Sequence, residues 1–154
     1  MLKWDTDADG RSDRSTVYLD GLVMPRSFAF VEGGLLLAEP PHLWYCQDLD
    51  GDLRCDRRSE VSRYGDPNPD VVEHTENGLL RSIDNWFYNA KSQRRFRFDV
   101  IDGKPTLEND TTAFRGQWGI AQDDQGRIFF NHNSTWLLAD PLPTDLLLRN
   151  RHCG

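Results

Sequence analysis

The residues with the clearest capacity for chemistry are aspartates in two matching loops. The loops span residues 5–13 and 48–56 and agree position for position, so that Asp48 lies 43 residues after Asp5. Each loop supplies four carboxylates: Asp5, Asp7, Asp9 and Asp13 in the first, and Asp48, Asp50, Asp52 and Asp56 in the second. Calcium takes several hard oxygen ligands, which carboxylates at alternate loop positions can provide. The pattern therefore predicts two calcium sites, with a structural rather than a catalytic role.

The two loops differ at the position where the chain must turn sharply. Gly10 occupies the sixth position of the first loop, whereas Leu53 stands there in the second, with Gly51 two residues earlier. We expect the second site to be weaker or differently shaped, because leucine rarely adopts a positive φ. Thr16 and Ser59 stand where an EF-hand needs a bidentate glutamate. The alternative for both loops is a solvated hairpin turn without metal.

Composition excludes several classes of protein. A net charge of −7 argues against nucleic acid as a partner, because neutralising phosphates needs a basic surface. The sequence has no apolar run long enough to span a membrane and no signal peptide at its start. Cys46, Cys55 and Cys153 lack metal-site spacing; Cys46 and Cys55 flank the second loop and are compatible with either a disulfide or two free thiols.

Short apolar segments separated by turn residues predict an all-β protein. Three segments share the pattern strand, tight polar turn, strand: residues 27–38, 79–89 and 118–131. Their turns contain Gly33-Gly34, Asp84-Asn85 and Gln125-Gly126, which tolerate the positive φ that tight hairpins require. We therefore expect three antiparallel hairpins.

The spacing of these segments predicts a β-propeller. Aligning Leu36, Phe87 and Ile128 gives intervals of 51 and 41 residues, close to the interval between the aspartate loops. Repeats of this length are typical of four-stranded propeller blades. We predict one partial propeller domain over residues 1–154, with blade repeats at about 14–56, 57–100 and 101–148. This is three to four blades of a ring that we expect to have six, so we expect the chain to be a piece of a longer propeller.

Two residues before predicted inner strands are candidates for catalysis. His74 precedes one such strand, near the expected central channel, and its pKa range suits a general base. Arg115 holds the same position before the next strand, where a guanidinium can bind an anionic cofactor bidentately. Gln117 and Asn131 add polar groups for cofactor binding. The alternatives are a hydrogen-bonded loop histidine and a surface arginine over Trp118.

Several motifs together resemble the membrane-bound dehydrogenase family of planctomycete and verrucomicrobial type, which are exported proteins with an N-terminal propeller. The most specific is the Arg-Gly-Gln-Trp-Gly run at the start of residues 115–124. The motifs lie at residues 38–45, 48–56, 74–79, 84–89 and 115–124. The propeller is more distantly similar to the soluble quinoprotein glucose/sorbosone dehydrogenases.

The resemblance implies a function that composition and spacing do not. It implies oxidation of a sugar or alcohol hydroxyl, with His74 taking the proton and Arg115 holding a pyrroloquinoline quinone. It also implies a periplasmic or other extracytoplasmic location and a c-type haem domain as a partner elsewhere in the parent protein, since the haem motif is absent here. Two alternatives stay open: a propeller that binds a carbohydrate or protein without catalysis, and a lactonase-like hydrolase with a channel calcium.

Overall fold

The computed structural model describes residues 1–65 and 74–142, and this part of the chain consists of strands and turns. No helix in it is long and apolar enough to cross a membrane. The strands are β1 (Leu2–Trp4), β2 (Arg14–Thr16), β3 (Ser27–Val31), β4 (Gly34–Glu39), β5 (His42–Gln47), β6 (Arg57–Arg63), β7 (Asn77–Arg81), β8 (Phe87–Ala90), β9 (Ser92–Ile101), β10 (Lys104–Arg115), β11 (Ile120–Gln122), β12 (Ile128–Phe130) and β13 (Leu138–Ala139). The prediction of an all-β fold is confirmed.

The strands form four antiparallel sheets in which each strand pairs with its neighbour in sequence. The sheets are an N-terminal hairpin (β1–β2), sheet I (β3–β6), sheet II (β7–β10) and sheet III (β11–β13). Among the described residues none of these sheets closes on itself. Consecutive up-and-down sheets of up to four strands are the blades expected of a propeller.

The packing between sheets places their first strands side by side. Strand β3 packs against β7, and β7 packs in turn against β11, while β6 and β10 meet further out. In a propeller the first strand of each blade lies nearest the axis, so β3, β7 and β11 are the inner strands. The fold is therefore that of a partial β-propeller, as predicted; the six-bladed ring stays a prediction.

The three predicted hairpins are present as β3–β4, β7–β8 and β11–β12. Each turn contains a residue of positive φ: Gly33 at 69°, Asn85 at 63° and Gly126 at 84°. At Gly126 a Cβ would stand 2.7 Å from the Ile83 side chain of the neighbouring sheet, so both the turn and the close approach favour glycine.

Sheet limits differ from the predicted repeat limits. Sheets I, II and III span residues 27–63, 77–115 and 120–139, whereas the predicted boundary at residue 56 falls between β5 and β6. The predicted repeats were placed by the aspartate loops, and the second of these loops lies between two strands of one sheet. The predicted boundary at residue 56 therefore cuts through sheet I instead of falling between two sheets.

The core lies between the faces of adjacent sheets. Phe87 of β8 stacks on Phe96 of β9, with ring centroids 5.2 Å apart, and both face the aromatic and aliphatic side chains of sheet I. A smaller cluster joins sheets II and III. The buried members of the first cluster are Leu36, Ala38, Leu43, Tyr45, Tyr64, Leu79, Phe87 and Phe96, and those of the second are Trp86, Tyr88 and Ile128. Apolar burial of this kind holds neighbouring blades together.

Candidate functional site

Both aspartate loops are the turns of β-hairpins. Residues 5–13 connect β1 to β2, and residues 48–56 connect β5 to β6, the last two strands of sheet I. The two loops therefore occupy equivalent places if the N-terminal hairpin is the outer half of a blade.

Aspartate side chains organise the first loop by accepting backbone hydrogen bonds. Asp5 accepts at Oδ1 from the N–H of Ala8 at 2.7 Å and at Oδ2 from the N–H of Gly10 at 2.8 Å. Asp13 closes the loop, since its Oδ1 accepts from the N–H of Thr6 at 3.1 Å. The loop conformation is thus encoded by the aspartates themselves.

The second loop repeats this hydrogen bonding residue for residue. Asp48 accepts from the N–H groups of Gly51 at 2.7 Å and Leu53 at 2.9 Å, and Asp56 accepts from Leu49 at 2.6 Å. Leu53 adopts a φ of 66°, much like the 83° of Gly10. The backbone of the second loop therefore matches that of the first, because the same side-chain acceptors hold Leu53 in the left-handed region; the expectation of a weaker or differently shaped second metal site stays a prediction.

The first aspartate of each loop has a lowered pKa. The N–H of Gly10 is the main cause that lowers the pKa of Asp5. At Asp48 partial burial acts to raise the pKa, but the N–H groups of Gly51 and Leu53 outweigh it and lower the pKa overall. Such groups offer negative charge to a cation at any pH near neutrality.

Six of the eight predicted ligands form two groups that fit a cation. Ligand oxygens within 4.8 Å of one another come from Asp5, Asp7 and Asp9 in one loop and from Asp48, Asp50 and Asp56 in the other. The remaining two, Asp13 and Asp52, lie outside these groups. Asp13 instead bonds Thr6, and Asp52 lies 3.7 Å from Nε of Arg54.

A second candidate region lies where the chain enters β7 and β11. The His74 ring meets the Trp118 ring edge to face, with centroids 6.1 Å apart. The indole N–H of Trp118 donates to Oδ1 of Asn133 at 2.8 Å, while 46% of Trp118 stays exposed. The structure therefore brings together residues from the segments that precede β7 and β11 and from the β12–β13 loop.

The same loop extends this region. Asn131 accepts from the N–H of Gly119 at 3.2 Å, which fixes the start of β11. His132 stacks on Phe114 with centroids 6.4 Å apart and planes 6° apart, and Lys91 lies 5.7 Å from the Phe114 ring. We call His74, Phe114, Trp118, His132 and Asn133 the aromatic–amide cluster. Trp136, 90% exposed, follows in the same loop.

Arg115 occupies the interior instead of the surface. It is 2% exposed, and its Nε donates to Oδ2 of Asp140 at 2.6 Å. Its Nη1 donates to Thr112 and to the Ala113 carbonyl, and the guanidinium lies 5.1 Å from the Tyr88 ring. Through its Nε and Nη1 donors, the buried Arg115 joins the end of β10 to the segment after β13. The alternative of a surface arginine over Trp118 is wrong as well.

The other predicted cofactor residues also have structural partners. Gln117 is buried, and its backbone carbonyl accepts from Nδ2 of Asn77 at 3.0 Å. Asn131 uses its Oδ1 on Gly119. The set of Arg115, Gln117 and Asn131 therefore does not form an open cofactor cradle.

Comparison with known families gives one match. The model of a domain of unknown function, DUF7133, matches residues 2–154. The chain belongs to the DUF7133 family. No curated protein and no solved structure matches it.

Sequence reasoning missed part of what this DUF7133 domain brings together. Phe114 of β10 and Lys91 of the β8–β9 turn carry no motif, so only the packing shows that Lys91 lies over Phe114 and that Phe114 stacks on His132. Asn133 could have been found, since it follows the third repeat strand in an Asn-His-Asn run. The pairing of Arg115 with Asp140 has no local signal.

Proposed function

We propose that this chain is a section of a β-propeller that binds a carbohydrate through the aromatic–amide cluster. The observation that carries the proposal is the half-exposed ring of Trp118, held in place by its bond to Asn133 and by the His74 ring. An aromatic ring fixed in this way offers a flat apolar face with polar groups beside it. Sugars need this combination, because they present C–H faces flanked by hydroxyl groups.

The surroundings support a binding surface. Trp136 is almost fully exposed three residues after Asn133, and Phe114 is 44% exposed beside Lys91. Tryptophan in particular is enriched among the residues that contribute most to binding. The loop placement also fits, since loops held by a rigid sheet commonly carry binding residues.

The test is titration of the protein with a panel of oligosaccharides, followed by tryptophan fluorescence and calorimetry. We expect saturable binding that weakens at least about tenfold in Trp118→Ala, which corresponds to about 1.4 kcal/mol. Phe28→Ala is the matched control, because Phe28 is an exposed aromatic residue on β3, away from the cluster. Unchanged affinity in Trp118→Ala, or no saturable binding by any sugar, would contradict the proposal.

Oxidation of the bound sugar or alcohol is the second candidate, because His74 lies in the same cluster and can act as a base. The residues predicted to hold a quinone do not fit that cofactor, since Arg115 is buried against Asp140. We therefore derive no step through a quinone. Reduction of an artificial electron acceptor by sugar and added quinone, lost in His74→Ala, would favour oxidation over binding alone.

We further propose that calcium braces the two hairpin loops. The grouped carboxylates of each loop suit a hard cation, although the third carboxylate of the group is Asp9 in the first loop and Asp56 in the second. Because the loops are exposed, weak sites of the extracellular type are expected, which agrees with the proposed extracytoplasmic location.

Thermal unfolding tests the calcium proposal. Calcium at about one hundred times its dissociation constant stabilises a single-site protein by about 2.7 kcal/mol. We expect a higher melting temperature in calcium than in chelator, and a smaller difference in Asp5→Asn. Asp102→Asn, in the short β9–β10 turn, should behave like the wild type. Equal melting temperatures with and without calcium would reduce the loops to plain turns.

A further inference from the structure

A cluster of buried and half-buried polar side chains lies between sheets I and II. It surrounds Tyr64, which is fully buried at the end of β6. Arg26 and Ser27 reach it from the start of β3, and Glu76 from the start of β7. Arg94 of β9 packs over the Tyr64 ring at 5.9 Å. The cluster therefore joins the inner end of one blade to the next.

Both arginines lack partners along the same edge of the guanidinium. Buried Nε and Nη2 atoms of Arg26 and of Arg94 have no hydrogen-bond acceptor. Arg94 uses only Nη1, which donates to the Arg63 carbonyl at 2.7 Å and to Ser62 at 3.3 Å. The Nε–Nη2 edge is the pair of parallel donors that binds a carboxylate or phosphate bidentately.

Asn89 adds a third unmatched donor. It is 2% exposed, and its Oδ1 accepts from the Tyr64 hydroxyl at 2.8 Å and from the N–H of Leu79 at 3.0 Å. These two bonds fix the amide, yet its Nδ2 has no partner. A buried amide donor without a protein acceptor is rare in folded proteins.

The charged side chains described near Tyr64 are those of Arg26, Arg94 and Glu76. No carboxylate within the described residues forms an ion pair with Arg26 or Arg94. Among the described residues Glu76 is the acidic side chain of the cluster, and its Oε2 accepts from the N–H of Gly65 at 3.1 Å. Burial raises the pKa of Glu76, because the charged form loses its hydration. Within the described residues neither guanidinium is therefore paired directly with a carboxylate, and charge withdrawn from water without a close counter-ion is unfavourable.

We propose that this cluster binds a small oxyanion, a carboxylate or a phosphate, between the guanidinium edges of Arg26 and Arg94 and the amide of Asn89. The anion would supply acceptors for the unmatched donors and a close counter-charge for the two guanidinium groups. The site is separate from the aromatic–amide cluster and does not depend on carbohydrate binding.

The test compares oxyanions with chloride at equal ionic strength. The melting temperature of the 154-residue chain is measured against inorganic phosphate in one series and sodium malonate in another. We expect a saturable rise in at least one series, and the series that responds identifies the anion class. No rise beyond chloride in either series would overturn the proposal.

Variants locate the effect. Asn89→Asp keeps an oxygen for the Tyr64 and Leu79 bonds but replaces the donor amide by a negative group, so it should fold and respond to the anion at least about tenfold more weakly. Arg94→Gln should show the same loss. Arg97→Gln is the control, since Arg97 lies on the same strand with an exposed side chain. A wild-type response in Asn89→Asp would also overturn the proposal.

Discussion

Replacing Arg115 by methionine separates a structural role for this residue from the cofactor role that the sequence suggested. Methionine keeps the unbranched stem and removes the guanidinium. The variant loses the bonds to Asp140, Thr112 and Ala113 and the contact with the Tyr88 ring. Asp140 is left as a mostly buried carboxylate without its partner.

The magnitude follows from burial. Removing one member of a buried ion pair destabilises proteins by about 3–5 kcal/mol, because the remaining charge is uncompensated. Domains of this kind are stable by about 5–15 kcal/mol, so the loss is a large share of the total. With a urea slope of about 1–3 kcal/mol per molar, the unfolding midpoint should fall by about 2 M.

The assay is urea unfolding followed by tryptophan fluorescence, with Arg97→Met as the matched control. Arg97 pairs with Glu108 at 3.7 Å, and their side chains are 46% and 62% exposed. Exposed pairs contribute about 0–1 kcal/mol, so the control should unfold close to the wild type. The double variant Arg115→Met, Asp140→Leu should recover much of the lost stability, since it leaves no unpaired charge.

A small effect would refute this reasoning. If Arg115→Met unfolds at the same urea concentration as Arg97→Met, the guanidinium does not hold β10 to the segment after β13. A free arginine available to a cofactor would then regain support, and quinone binding by Arg115→Met would be the next measurement.

Three further predictions concern the interior. Gln122→Ala should lower the free energy of unfolding by about 2–3 kcal/mol, because it removes the hydrogen bonds of Gln122 with Ile83, Ser82 and Gly126 at about 1 kcal/mol each. An unchanged midpoint of urea unfolding would contradict this prediction. Burial and the neighbouring Cys55 thiol raise the pKa of Cys46 to about 12. In a Cys153→Ser background, a thiol reagent at about pH 8 should therefore modify Cys55 quickly and Cys46 only after unfolding. Rapid modification of both thiols in the folded protein would contradict this prediction. Because burial raises the pKa of Glu76 above 4.5, the free energy of unfolding should fall as the pH rises through and above that value. Glu76→Gln should make the free energy of unfolding less dependent on pH between about pH 4.5 and 7.5. The same pH dependence in Glu76→Gln and the wild type would contradict this prediction.

The hairpins and aspartate loops were predictable because their signals are local. Alternating apolar residues and a turn residue of positive φ, such as Asn85, specify a hairpin within about a dozen positions. Asp5 and Asp48 likewise bond to N–H groups three and five residues ahead. Leu53 shows the limit of such reasoning, since its identity argued against a conformation that neighbouring carboxylates impose.

By itself, the sequence determined the all-β class, the blade-length repeat and the two loops, because each depends on residues close along the chain. Only the tertiary structure decided which side chains face which. It paired Arg115 with Asp140, set His74 against Trp118, and left the guanidinium edges of Arg26 and Arg94 around Tyr64 without acceptors. The physical reason is that burial and ion pairing depend on contacts across sheets, between residues tens of positions apart, for which no local pattern exists.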